Sequence, residues 1–198
     1  MDSYSPTIFN EGYADGQNVA KPAPFTMKYR ATVYQGDTTF ATRFCDSFTF
    51  AAGTNLPTGS IAFLDNSDGL VKPGVGVAAA DACPVPYVVY MGNDQKSVIS
   101  QKGNIAGGIV TLIPTTGYFR IVTTIFDTTK TYAAGEFLKV TKTTFDGMAD
   151  VGVITNGATV YSDVVIGIAD GAAGIDHFDL PSLKFTCYFI PPMVAGSN

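Results

Sequence analysis

The chain has 198 residues and a formal net charge of −5, and only 15% of its residues are charged, well below the usual quarter. That length allows one large domain or two small ones with a real core. The acidic balance repels a phosphate backbone, and the twelve Lys and Arg residues are scattered without a basic stripe, which argues against nucleic-acid binding.

Residues 1–24, "MDSYSPTIFNEGYADGQNVAKPAP", read as an extended N-terminal arm. They mix Asp, Ser, Pro, Asn and Gly without period, and the prolines force an extended exit. Such a segment cannot satisfy its own backbone, so it is expected either to be mobile or to be ordered by lying across a neighbour. It has no basic start followed by an apolar run, so no signal peptide is expected. No stretch approaches the roughly twenty apolar residues of a membrane helix, and no membrane association is expected.

From Phe25 the pattern is β. In "FTMKYRATVYQ", Met27, Tyr29, Ala31 and Val33 alternate along one strand face. "TTFATRFCDSFTF" follows a turn, and "GSIAFLD" is a strand entering the turn "DNSDG". "PVPYVVYMG" reads as a buried β-branched and aromatic strand. "SVISQKGNIAGGIVTLIP" holds one or two strands around glycine breaks, and "GYFRIVTTIF" is a strong strand. The plan then recurs: "YAAGEFLKVT" is a strand, "FDGMAD" a turn, "VGVIT" a strand, "NG" a tight turn and "SDVVIGIADG" a strand. "LPSLKFTCYFIPP" closes the series, with Phe185, Cys187 and Phe189 on one face and Leu183 set off by one register. "VGVAAADACP" and "AAGIDHF" leave room for one helical turn each, but no segment sustains a helical period.

Gly59 in "LPTGSIAFL" and Gly135 in "YAAGEFLKV" stand 76 positions apart, and so do Val88-Val89 and Val164-Val165. A duplicated β unit explains equal spacing with little identity, because a sheet requires period and turns rather than particular side chains. The expected organisation is therefore all-β, barrel-like, with an arm at 1–24, a first unit at 25–126, and a second unit at 127–198 ending in a short tail.

Candidate chemistry is sparse. The single histidine, His177 in "GIDHFDLP", lies between Asp176 and Asp179 and could pass for a metal ligand or a carboxylate-held base. A zinc site needs three or four ligands and only Cys187 is near in sequence, so a loop residue before Pro181 is the better reading. Cys45, Cys83 and Cys187 are odd in number and widely spaced, without a C-x-x-C pair. They read as small buried residues of a protein made in a reducing cytoplasm rather than as nucleophiles. Asp65–Gly69 invites a calcium reading, but the fifth position is Gly69 and the twelfth Gly76, which favours a turn built on Asp side chains. "GNIAGG" lacks the Lys and the following helix of a phosphate loop. Glu11 in the arm and Glu136 on a strand are the only glutamates available for paired-carboxylate chemistry. No catalytic residue, metal site or cofactor is expected.

Read as a whole, "TYAAGEFLKVTKTTFDGMADVGVITNGATVYSDVVIGIADG" resembles the head-decoration (capsid cement) proteins of tailed bacteriophages. "LPTGSIAFLDNSDGLVKPG", "VPYVVYMG" and "GNIAGGIVTLIPTTGYFRIVTTIFDTTKTY" are also similar to virion structural proteins of such phages. The resemblance implies a small β-barrel or β-tulip. It also implies a homotrimer on the capsid surface that clamps neighbouring major capsid protein subunits, using the N-terminal arm. Another virion β module, a tail-tube, baseplate or receptor-binding protein, is the alternative. A hydrolase built on His177 is the reading from a different class.

Overall fold

A computed structural model describes residues 31–33, 46–76, 84–92, 108–116, 119–160, 162–176 and 179–192. Among these residues every regular element is a strand. In chain order they are β1 (Ala31–Val33), β2 (Asp46–Thr49), β3 (Ile61–Leu64), β4 (Val71–Pro73), β5 (Pro86–Met91) and β6 (Ile109–Pro114). They continue with β7 (Arg120–Thr123), β8 (Phe137–Phe145), β9 (Met148–Thr155), β10 (Val165–Ala169), β11 (Gly174–Ile175) and β12 (Pro181–Ile190). The all-β expectation holds. The helical turn allowed for "AAGIDHF" is instead β11, with residues 177 and 178 outside the described set.

The strands form two antiparallel sheets. One runs β2-β6-β5-β3-β4, and the other runs β1-β7-β12-β10-β8-β9, with β11 paired to the start of β12. Setting β1 aside, the two orders are the same plan executed twice: β2, β3, β4, β5 and β6 correspond to β7, β8, β9, β10 and β12. The agreement extends to single hydrogen bonds. Gly59 donates to the Val89 carbonyl (2.7 Å) and Gly135 to the Ala169 carbonyl (2.9 Å), each glycine holding a positive φ. Val89 donates back to Ser60 and Ala169 to Glu136, both at 2.9 Å. A lone parallel bridge, Phe50 with Val71, ties the ends of the first sheet, and Phe126 with Ile154 does the same in the second. The two bridging phenylalanines stand 76 positions apart, as the two glycines do.

The expected barrel is therefore corrected. Each sheet is rolled until the chain just past β2 (Phe50) or β7 (Phe126) touches β4 or β9 at one residue pair, and the ladder does not continue beyond that pair. The result is a sandwich of two open, rolled sheets. The strand "GYFRIVTTIF" supplies β7 and belongs to the second sheet. β1 also joins the second sheet, through Ala31 opposite Thr123.

The interiors correspond as well. One buried cluster fills the first roll with Phe50, Leu56, Ala62, Val71, Val89, Val110 and Leu112. Carrying the register across places Phe126, Tyr132, Leu138, Ile154, Ala169, Leu183 and Phe185 at the same points, and all seven sit in the second buried cluster. Leu183 thus shares the face of Phe185 and Cys187 instead of being set off from it. The period-two pattern accounts for this, since 183, 185 and 187 all point inward on β12.

The second cluster also contains Ile61, Val88 and Ile113, which lie on the outer face of the first sheet. That face closes over the second roll where β3 meets β9 and β5 meets β1. The Thr123 hydroxyl donates to the Gly59 carbonyl across the junction (2.8 Å), and the Asn55 amide donates to the Ala149 carbonyl (2.8 Å). At Gly152 the backbones come so close that a Cβ would overlap the Ile61 carbonyl oxygen.

Candidate functional site

Of the residues singled out for chemistry, Cys187, Asp176, Asp179, Asp65 and Glu136 lie among the described residues. His177, Cys45, Cys83, Glu11 and the "GNIAG" part of the glycine-rich stretch lie outside the described residues. Cys187 is 1% exposed on β12, and burial, followed by the nearby Asp170 charge, pushes its thiol pKa up, which suppresses the thiolate. Asp176, beside His177 in sequence, accepts the Leu180 amide at 3.0 Å and closes the turn leading into β12. Among the described residues no group of three His, Cys, Asp or Glu side chains is placed to hold a metal ion.

"DNSDG" forms the turn its composition suggests. Asp65 accepts the Ser67 amide (2.8 Å) and hydroxyl (2.6 Å), and Asp68 accepts the Leu70 amide (3.0 Å). Lys72 reaches back from β4 to both carboxylates at 2.7 Å. That ammonium, with the Ser67 donors, holds Asp65 far below the usual carboxylate range, and Asp68 is lowered chiefly by the same lysine. A lysine occupies the position a cation would take. Glu136 likewise serves its own turn, accepting the Ala133 amide at 3.1 Å.

Two clefts of about 280 Å³ each are open and shallow. One lies over Phe126, Val153 and Phe145 with a rim of threonines from β8. The other lies between Phe63, Val75 and Val140, where the first sheet meets the second. Neither gathers an acid, a base and a nucleophile.

The distinctive surface is the outer face of the second sheet. In the first sheet the outward row Ile61–Val88–Ile113 runs directly across three strands, and each residue is fully buried. The corresponding row in the second sheet is Phe137–Ile168–Thr186, extended by Arg120. None of these four belongs to a buried cluster; three are partly exposed and Arg120 is exposed. Val122 and Lys184 form the adjacent pair on β7 and β12, and Tyr188 is 51% exposed further along. Arg120 pairs with Asp170 at 3.6 Å, and Lys139, outward on β8, pairs with Asp163 at 3.3 Å. The face carries two part-buried apolar residues, Phe137 and Ile168, bordered by the Arg120–Asp170 and Lys139–Asp163 ion pairs. The sequence names every one of these residues but does not mark them, because the row emerges only from pairing β8, β10 and β12.

No family model matches the chain, and no curated protein matches it significantly.

Proposed function

We propose that the protein is a non-enzymatic virion structural protein that binds the outer surface of a tailed-phage capsid and stabilises it by bridging major capsid protein subunits, as a homo-oligomer. One observation carries this reading: the chain builds one β unit twice, uses the outer sheet face of the first copy as an internal interface, and leaves the same face of the second copy uncovered by the described residues. A fold whose sheet face already serves as a docking surface suits assembly. The low charge content and the resemblance of residues 50–190 to head-decoration proteins point the same way.

Residues 1–24 are the segment suited to the shell, adding main-chain hydrogen bonds to an exposed strand edge. Many weak contacts of this kind sum to a lasting attachment when copies are linked. The protein would be made in the host cytoplasm and reside on the capsid.

The test is electron cryo-microscopy of phage particles incubated with purified protein, with and without residues 1–24. Density on the head lattice that disappears with the arm is expected. Density confined to the tail would favour a tail or baseplate role, and no density at all would refute attachment.

A further inference from the structure

The internal repeat specifies what covers the uncovered face. Within the chain, the outer row of the first unit is received by β9 of the second, where Gly152 lets the Ile61 carbonyl approach. The two parallel bridges align Val71 with Ile154, and two positions earlier align Gly69 with Gly152. Counted from these bridges, Gly69 takes the place of Gly152, in the positive-φ turn between β3 and β4 where Gly152 lies within the strand β9. Gly69 is exposed there, with open space where a Cβ would stand. Asp65 and Asp68 flank it, while Lys139, Lys184 and Arg120 frame the stripe of Phe137 and Ile168.

We infer that a second copy of this chain occupies the outer face of the second sheet, presenting its Gly69 turn, so that copies associate front to back through a repetition of the contact made inside each chain. The two surfaces differ, so the interface is heterologous and closes into a ring or propagates. Phe137 and Ile168 supply the apolar contact, while the ion pairs at the turn (Asp65 and Asp68 with Lys72) and on the sheet (Arg120 with Asp170, Lys139 with Asp163) form its polar rim. A heterologous contact also explains why the second copy of the unit carries lysines at Lys139 and Lys184 where the first has Phe63 and Thr111. A face that must stay soluble until a partner arrives tolerates charge at its margin but not in a core.

This inference deepens the oligomeric part of the proposed function and is tested without any capsid. Sedimentation velocity of the full chain over a hundredfold concentration range is expected to show assembly beyond the monomer. Ile168→Asp on the sheet face, and separately Asp68→Lys at the turn, should each weaken association at least tenfold. Lys184→Glu, at an exposed position, should do the same and guards against misfolding of Ile168→Asp. Mixing Ile168→Asp with Asp68→Lys leaves one good sheet face and one good turn, and should give a dimer that grows no further. A wild-type chain that stays monomeric throughout overturns the inference, as does association indifferent to Ile168→Asp and Lys184→Glu. Loss with the sheet-face variants but not with Asp68→Lys also overturns it, since that result means a two-fold, face-to-face contact. Capsid binding by a strictly monomeric chain would refute this inference alone, and oligomers that ignore capsids would refute only the attachment.

Discussion

At Gly152 two opposing residue-scale effects can be weighed. A glycine within a strand costs roughly 0.5–1 kcal/mol relative to alanine through lost chain entropy, so Gly152→Ala would ordinarily stabilise. Here the added methyl overlaps the Ile61 carbonyl oxygen and lies 2.9 Å from the Gly74 nitrogen, both backbone atoms that no rotamer change can move. Overpacking of this kind costs about 1–3 kcal/mol, so the clash wins and Gly152→Ala should lower the denaturation midpoint. The buried Ser60 hydroxyl has the opposite balance. It finds no partner, so Ser60→Ala should leave chemical-denaturation stability unchanged or raise it by up to about 1 kcal/mol. Tyr132 supplies a pH signature. It packs edge-on against Phe126 with its hydroxyl donating to the Asp127 carbonyl at 3.0 Å, and burial, followed by the Asp127 charge, pushes its pKa up to about 12. The folded state thus prefers the neutral phenol. That preference is fully present below the unfolded value near 10 and is lost as pH rises through 12, a change of at most about 2–3 kcal/mol. The first unit places Leu56 at the matching position, so an apolar ring is tolerated there. Tyr132→Phe should therefore flatten the alkaline fall in urea-melt stability while changing neutral-pH stability by only about 1 kcal/mol.

At the scale of elements, the turns are where sequence and structure agree most closely. Asp146 and Gly147 both take positive φ between Phe145 and Met148, the geometry that a two-residue hairpin demands of an Asp-Gly pair. The β3–β4 turn depends on ionised Asp65 and Asp68 bridged by Lys72. Both pKa values are depressed, so the contribution exists above the unfolded value near 4 and is lost as pH falls below it. The three groups reach solvent and are screened, so Lys72→Met should reduce the acid-side slope of the melting temperature only modestly, and an unchanged slope would show that this turn adds nothing to acid stability. Legibility was uneven for a physical reason. Gly59 and Gly135 were readable as a pair because a positive φ leaves few alternatives to glycine. The second pair misled: in the ladder, Val88 and Val89 align with Ile168 and Ala169, not with Val164 and Val165. A bulge between Val165 and Gly167 and a longer β8–β9 hairpin shift the spacing, and valines suit many strand positions. β7 pairs within the second sheet, a choice its own residues do not announce because an apolar strand carries no mark of the sheet it joins. The docking row was illegible for the same reason, since Phe137, Ile168 and Thr186 share a face only through registers set by their neighbours.

Taken whole, the molecule has two topological units joined by a buried cluster to which both contribute. Ile61, Val88 and Ile113 belong to the first sheet, yet they share a buried cluster with Phe126, Leu138, Ile154 and Phe185 of the second. Burying one such side chain is worth about 1.5–3 kcal/mol, so the three together contribute roughly 5–9 kcal/mol across the junction. A domain's entire stability is only about 5–15 kcal/mol, so neither unit can open its face to water and remain folded on its own margin. The backbone contact at Gly152 and the Thr123–Gly59 bond tie the junction further. Calorimetry should accordingly give one transition with the calorimetric and van't Hoff enthalpies equal. Val88→Ala, which truncates the middle of the row and costs about 1–3 kcal/mol, should shift that transition down intact. Two resolved transitions, or a variant that splits one into two, would mean that the repeated units are independent domains resting against each other, and the face buried in the first could then no longer serve as the template for docking at the second.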